Sequence, residues 1–177
     1  MGGVFAANMT GNTVLAGIAA AHGHYGDAAR HLAPLVAFFI GAMLARLLLR
    51  LWHKPAIPIL LEAAIIGVLP FLPVGIETQV MILAMAMGLQ ASAITQFGGT
   101  SVSTVVVTST LARTADAALD RLWPDGPHVL PAVATPSLLL MTWTGYLVGA
   151  LAGGLLLDAM AWPLLVPVVL LVIVTLL

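Results

Sequence analysis

Long apolar runs separated by short polar stretches dominate the chain. Five runs are almost free of charge and long enough for helices that cross a bilayer, because one crossing takes about 20 residues. They cover residues 32–51, 56–73, 78–95, 129–157 and 162–177. The stretches between them are rich in Gly, Pro and charged residues, which are typical of turns. The pattern therefore predicts an all-α, polytopic helical membrane protein.

Two further segments, residues 2–21 and 98–122, are not clean apolar runs. Each begins with Gly-Gly, continues through Ser, Thr or Asn, and then becomes helical again, as GGVFAANMTGNTVLAGIAAA and GGTSVSTVVVTSTLARTADAA. Hydroxyl and amide side chains can cap a helix N-terminus whose backbone donors would otherwise be unpaired in hydrocarbon, so we expect broken or re-entrant helices. The alternative is that Ser and Thr bond back to the preceding turn of an ordinary helix.

An internal repeat predicts how the helices are organised. FFIGAMLARLLL, residues 38–49, returns as YLVGALAGGLLL, residues 146–157, and the residue after each copy is Arg50 or Asp158. Because positive charge prefers the cytoplasmic side, this difference suggests that the two copies insert in opposite orientations. We therefore expect one membrane domain, 1–177, made of two inverted repeats of about three helices, 1–74 and 75–177.

The basic residues favour a re-entrant path for 98–122. With that path Arg46, Arg50, Lys54, Arg113 and Arg121 fall on one side of the membrane, as the positive-inside rule requires. A full crossing would move Arg121 to the far side.

Composition agrees with this class of protein. Hydrophobic residues make up 61% of the chain and charged residues 7%, where a soluble domain has roughly 25% charged residues. The lipid bilayer is thus the expected partner, and the net charge of -1 argues against nucleic acid. Without cysteine there are no disulfides and no thiolate chemistry.

Several motifs together resemble the bacterial DUF1275, or YoaK-like, family of multi-pass membrane proteins, whose function is not established. They are NMTGNT near the start, LLEA around Glu62, LAMAMGLQASAI before Gly98, and VTSTLAR at 107–113. The resemblance covers essentially the whole chain and implies a small protein of the bacterial inner membrane. There are two departures: the family's first helix, with a Gly-Tyr-x-Asp-Ala type motif, is absent from this sequence, and Ser109 stands where the family usually has Gly.

Small residues recur every four positions in three helices. The sets are Ala37, Gly41 and Ala45; Ala84, Gly88 and Ser92; and Gly145, Gly149 and Gly153. Each forms a smooth stripe that lets helix backbones approach closely. We expect the equivalent stripes of the two repeats to meet at the pseudo-symmetry axis, with a homodimer contact as the alternative.

Polar residues within the apolar segments are the candidates for a solute site or polar pathway. They are Asn8, Thr10, Asn12, Thr13, Glu62, Gln90, Thr108 and Thr110. Glu62 is either a proton relay or ion ligand, as intramembrane carboxylates often are, or the partner of Arg46 or Lys54. The hypothesis places the two Thr-rich breaks near the midplane, close to each other and to Glu62 or Gln90.

Other chemistry finds little support in the sequence. His22, His24, Asp27 and His31 resemble a metal-binding set, but a loop at the membrane edge collects such residues for solvation, and we predict no metal. Neither a catalytic triad pattern nor a phosphate-binding glycine loop is present, so no enzyme activity and no cofactor are expected.

Two functions remain open from the sequence. The first is a transporter or channel for a small polar solute or anion, since broken-helix N-termini present partial positive charge at the midplane. The second is a non-transporting membrane scaffold or assembly partner, in which the polar breaks only hold the fold together.

Overall fold

The computed structural model of the chain describes residues 3–93 and 136–176, and within these ranges every regular element is helical. The helices are α1 (Met9–Ala21), α2 (Tyr25–Trp52), α3 (Ala56–Val68, continued by a 3-10 turn at Leu69–Phe71), α4 (Ile76–Ala93), α5 (Pro136–Ala159) and α6 (Leu165–Leu176). The all-α prediction is confirmed. The predicted re-entrant segment 98–122 lies outside the described residues.

The chain divides into two compact units. One comprises Met1–Ile94 with Leu164–Leu177 and contains α1 to α4 and α6, and the other comprises Thr95–Pro163 and contains α5. The two inverted repeats, 1–74 and 75–177, stay a prediction.

Helices occur at all five positions where the sequence predicted membrane-crossing segments. Among the described residues, α2 alone is long and apolar enough to cross a bilayer by itself, and the helices at Ala56–Phe71 and Leu165–Leu176 are shorter apolar segments. Large apolar side chains point outward along α2 and α6, for example Val36, Phe39 and Val174, each more than half exposed. Lipid rather than water suits such a continuous apolar surface.

The closest helix contact in the larger unit joins α2 to α4. A Cβ built on Gly41 would overlap the backbone carbonyl of Met85, and a Cβ on Gly88 would overlap that of Phe38. Ala45 and Ala84, one turn away on each stripe, are completely buried. The stripe on α2 therefore packs against the stripe on α4. The meeting of equivalent stripes of the two repeats stays a prediction.

The other helices are arranged around this pair. Because Arg30 contacts Glu77 near the start of both helices and Gly41 contacts Met85 further along, α2 and α4 run in the same direction. The helix between them, α3, therefore returns antiparallel to both. α1 packs against α2, and α3 packs against α4 and α6. A Cβ built on Gly67 of α3 would be in ordinary van der Waals contact with the Val168 side chain on α6.

Tight turns separate the first three helices. Gly23, between α1 and α2, has a φ of 77°, which glycine adopts without a steric penalty. His53 ends α2 in the left-handed conformation with a φ of 54°, and its backbone N–H donates to the Leu49 carbonyl. These turns make α1, α2 and α3 reverse direction within a few residues.

Candidate functional site

The first polar break is an irregular segment followed by a capped helix. Residues 3–8 are not helical, and α1 begins at Met9. The Asn8 side-chain oxygen accepts from the Gly11 backbone N–H at 2.9 Å, an N-cap by one of the amide side chains of this segment. A Cβ on Gly11 would lie 2.8 Å from the Asn8 amide nitrogen, so Gly11 leaves the space that the cap needs.

Asn12 ties the irregular segment to α1. Its Oδ1 accepts from the Phe5 backbone N–H at 2.9 Å, and its Nδ2 donates to the Phe5 carbonyl at 2.7 Å. The residue is completely buried. The side-chain amide thus pairs with the N–H and C=O of one residue, as a neighbouring β-strand would. It satisfies two backbone groups that would otherwise have no hydrogen-bond partner.

The two threonines of this motif are exposed. Thr10 lies in the first turn of α1, and the Thr13 hydroxyl donates to the Met9 carbonyl at 2.9 Å. For Thr13 the structure matches the alternative interpretation, in which the hydroxyl bonds back to the preceding turn. The first break therefore combines a true cap at Asn8 with an ordinary back-bond at Thr13.

Glu62 lies in the middle of α3 and is only 1% exposed. It shares a buried helix face with Ile59 and Ile66. Its Oε2 atom is buried and accepts no hydrogen bond. Neither Arg46 nor Lys54 forms an ion pair with it, since both ion pairs among the described residues involve Arg30. The sequence left open an ion pair of Glu62 with one of these cations as an alternative to a functional role, and the described residues contain no such ion pair.

The remaining predicted site residues are distributed over other elements. Gln90 is half-buried near the end of α4, and Thr108 and Thr110 lie outside the described residues. The helix that carries Asn12 packs against α2, and the helix that carries Glu62 packs mainly against α4 and α6 and less extensively against α2. The meeting of the two breaks near Glu62 therefore stays a prediction.

A charged cluster at the start of α2 and α4 was not anticipated from the sequence. Arg30 Nε lies 3.4 Å from Glu77 Oε1, and Arg30 Nη1 lies 3.7 Å from Asp27 Oδ1. A cavity of about 220 Å³ beside this cluster is lined mainly by apolar residues such as Pro34 and Val80. The sequence does place Arg30 and Glu77 near the starts of two apolar helices. It does not show that they meet, because the contact requires α2 and α4 to run in the same direction.

The histidine-rich turn between α1 and α2 lines a wider cavity of about 520 Å³. His22 Nδ1 lies 2.8 Å from the Ile18 carbonyl at the end of α1, and the buried Nδ1 of His31 has no hydrogen-bond partner. Within residues 3–93 and 136–176, no three His, Cys, Asp or Glu side chains are close enough together to hold a metal ion.

Comparisons with known proteins agree with this helical, apolar architecture. A family described as "Protein of unknown function (DUF1275)" matches residues 1–177. The chain is 32% identical over 123 residues to the UPF0700 transmembrane protein YoaK of Bacillus subtilis (strain 168), in an alignment covering 63% of this chain and 55% of that protein. The chain thus spans about half the length of this curated relative. No solved structure matches it.

Proposed function

The chain belongs to the DUF1275 family and is a membrane protein, and we propose that it is a multi-pass protein of the bacterial inner membrane that moves a small polar solute across the bilayer as a transporter or channel. The proposed role is not enzymatic. The observation that carries it is Glu62, a buried carboxylate with an unpartnered oxygen in the middle of an apolar helix.

Stability alone does not explain a carboxylate in this position. An isolated buried charge costs several kcal/mol, so a buried carboxylate either pairs with a cation or takes up a proton. Glu62 has no such pair among the described residues. A hydrophobic side chain of similar size would fill the same space between Ile59 and Ile66 without this penalty. Intramembrane carboxylates of this kind are characteristic of proton relays and ion sites.

Glu62 also changes the expected chemistry of transport. The sequence favoured an anion or a small polar solute, because the uncapped N-terminus of a broken helix would present backbone donors. In α1 one of those donors already bonds to Asn8, which weakens that argument for the first break. A carboxylate binds a proton or a cation instead. We therefore infer that solute movement is coupled to a proton or cation held by Glu62, with Gln90 and the threonines of the two breaks as candidate polar groups along the path.

The test is proton movement in vesicles containing the purified full chain. A potassium gradient with valinomycin imposes a membrane potential, and a pH-sensitive dye inside the vesicles reports proton entry. We expect flux with the unchanged protein and a fall to the level of protein-free vesicles for Glu62→Gln. The matched control is Glu77→Gln, the same substitution at an exposed carboxylate at the start of α4, which should keep the flux.

The second candidate function is a non-transporting scaffold or assembly partner. It is favoured by Asn12, because both polar atoms of its buried amide are used to hold Phe5 and none is directed to a solute. No proton flux above that of protein-free vesicles in either folded protein would support this function over transport. Equal flux in folded wild-type and Glu62→Gln protein would instead mean that protons move without Glu62 and would overturn its proposed role.

A further inference from the structure

The two ends of α2 differ in how their arginines are neutralised. Arg30, near the beginning, contacts the carboxylates of Asp27 and Glu77. Arg46 and Arg50, near the end, are exposed and have no carboxylate partner among the described residues. Both guanidinium groups are therefore free, within the described part of the chain, to bind an anionic group from outside it.

A groove of about 530 Å³ accompanies the two unpaired arginines. It is lined along α2 by Phe39, Met43, Leu47, Arg46 and Arg50, and Ser92 of α4 borders it. The three apolar side chains are each more than half exposed. Their spacing, with that of the arginines, places all five on one face of the helix. The groove thus has a long apolar part and a doubly positive end.

The length of this face matches one leaflet of a bilayer. At about 1.5 Å per residue, Phe39 and Arg50 are separated by roughly 16 Å along α2. The hydrocarbon core of a bilayer is about 30 Å thick, so one leaflet contributes about half of that. A lipid acyl chain lying along Phe39, Met43 and Leu47 would bring its headgroup to the level of the arginines. The positive charge at one end of the groove and the length of its apolar face therefore both fit a phospholipid with an anionic headgroup.

We propose that this groove is a binding site for an anionic phospholipid, whose headgroup phosphate contacts Arg46 and Arg50 and whose acyl chain lies along the apolar face of α2. In the topology inferred above, the site is in the cytoplasmic leaflet, where positive residues collect. Arginine suits this role because its planar guanidinium group forms paired hydrogen bonds with phosphate oxygens. The site does not depend on the transport function proposed above.

The experiment measures thermal unfolding of the purified full chain in detergent with added lipid. Phosphatidylglycerol should raise the unfolding temperature by several degrees, and phosphatidylcholine with the same acyl chains should raise it much less. The double variant R46Q/R50Q should lose the difference between the two lipids. Arg30→Gln is the matched control, because it removes an arginine of the same helix that already has carboxylate partners, and it should keep the difference.

Two further measurements distinguish the source of the phosphate and guard against a folding defect. Inorganic phosphate and glycerol phosphate should give no stabilisation, because they lack an acyl chain. Native mass spectrometry should find phosphatidylglycerol retained on the unchanged chain and on Arg30→Gln, but not on R46Q/R50Q. Equal stabilisation by the two lipids, retention by the double variant, or an equal effect of inorganic phosphate would each overturn the proposal.

Discussion

Among the described residues, the polar or charged side chains that are almost completely buried are Asn12 and Glu62. They differ in whether their buried polar atoms have hydrogen-bond partners. Asn12 uses both ends of its amide to bond the Phe5 backbone. Glu62 keeps a buried oxygen without any partner. A buried polar group with all its partners stabilises the fold, whereas one without a partner destabilises it and needs another reason to be present. The difference separates a structural residue from a functional candidate.

The largest effect on stability is expected at Asn12. Asn12→Leu leaves the Phe5 N–H and C=O without their partner, at about 1–3 kcal/mol for each unpaired group. Because Phe5 itself is partly exposed, we expect a total loss of about 2–4 kcal/mol in the free energy of unfolding. Denaturant unfolding in a fixed detergent measures it. A variant as stable as the unchanged protein would mean that Asn12 is not structural and would remove the contrast.

A smaller loss is expected at Asn8, where one hydrogen bond at the helix end is removed. Asn8→Ala should cost about 1 kcal/mol, the usual effect of losing an N-cap. Thr13→Val is the control on the same helix, because its hydroxyl bonds an already helical carbonyl, and it should change stability by less than about 0.5 kcal/mol. If the two substitutions cost the same in unfolding measurements, the cap at Asn8 does not contribute as the geometry suggests.

The smallest effect on stability is expected at Glu62. Glu62→Gln keeps the shape of the side chain and removes no hydrogen bond or ion pair of the described residues, so it should change the free energy of unfolding by less than about 1 kcal/mol. Thermal and denaturant unfolding of the variant test this. A loss of about 3–5 kcal/mol, as for a broken buried ion pair, would place Glu62 among the structural residues with Asn12.

The positions of the helices, and the presence of a polar side chain that caps the start of α1, could be predicted because they depend on local sequence. An apolar run defines a helix, and an Asn before the turn Met9 to Gly11 defines its beginning. The partner of Asn12 could not be predicted, because it is the backbone of an irregular segment. The lack of an ion pair between Glu62 and Arg46 or Lys54 could not be predicted either, because it depends on how α3 is rotated against its neighbours.

The small-residue stripes show the same limit at the level of helix packing. Spacing identified the smooth face of α2 at Gly41, and the structure places a backbone against that face. Spacing does not say which of several smooth faces will meet, and in the structure Gly41 lies against the backbone of Met85, close to Gly88 on α4. Periodicity describes one helix at a time, whereas the pairing is decided by connection lengths and helix direction.

The contact between Gly41 and α4 also has a consequence for biogenesis. The two glycine faces belong to helices separated in sequence by the whole of α3, so the face of α2 leaves the ribosome well before the face that covers it. At roughly 5–20 residues per second, that interval lasts several seconds. During it, the bare glycine face of the newly inserted helix is available to lipid, to the insertion machinery or to a neighbouring nascent chain. This close contact, the tightest approach of helix backbones among the described glycines, is therefore one of the last that the first four helices can make.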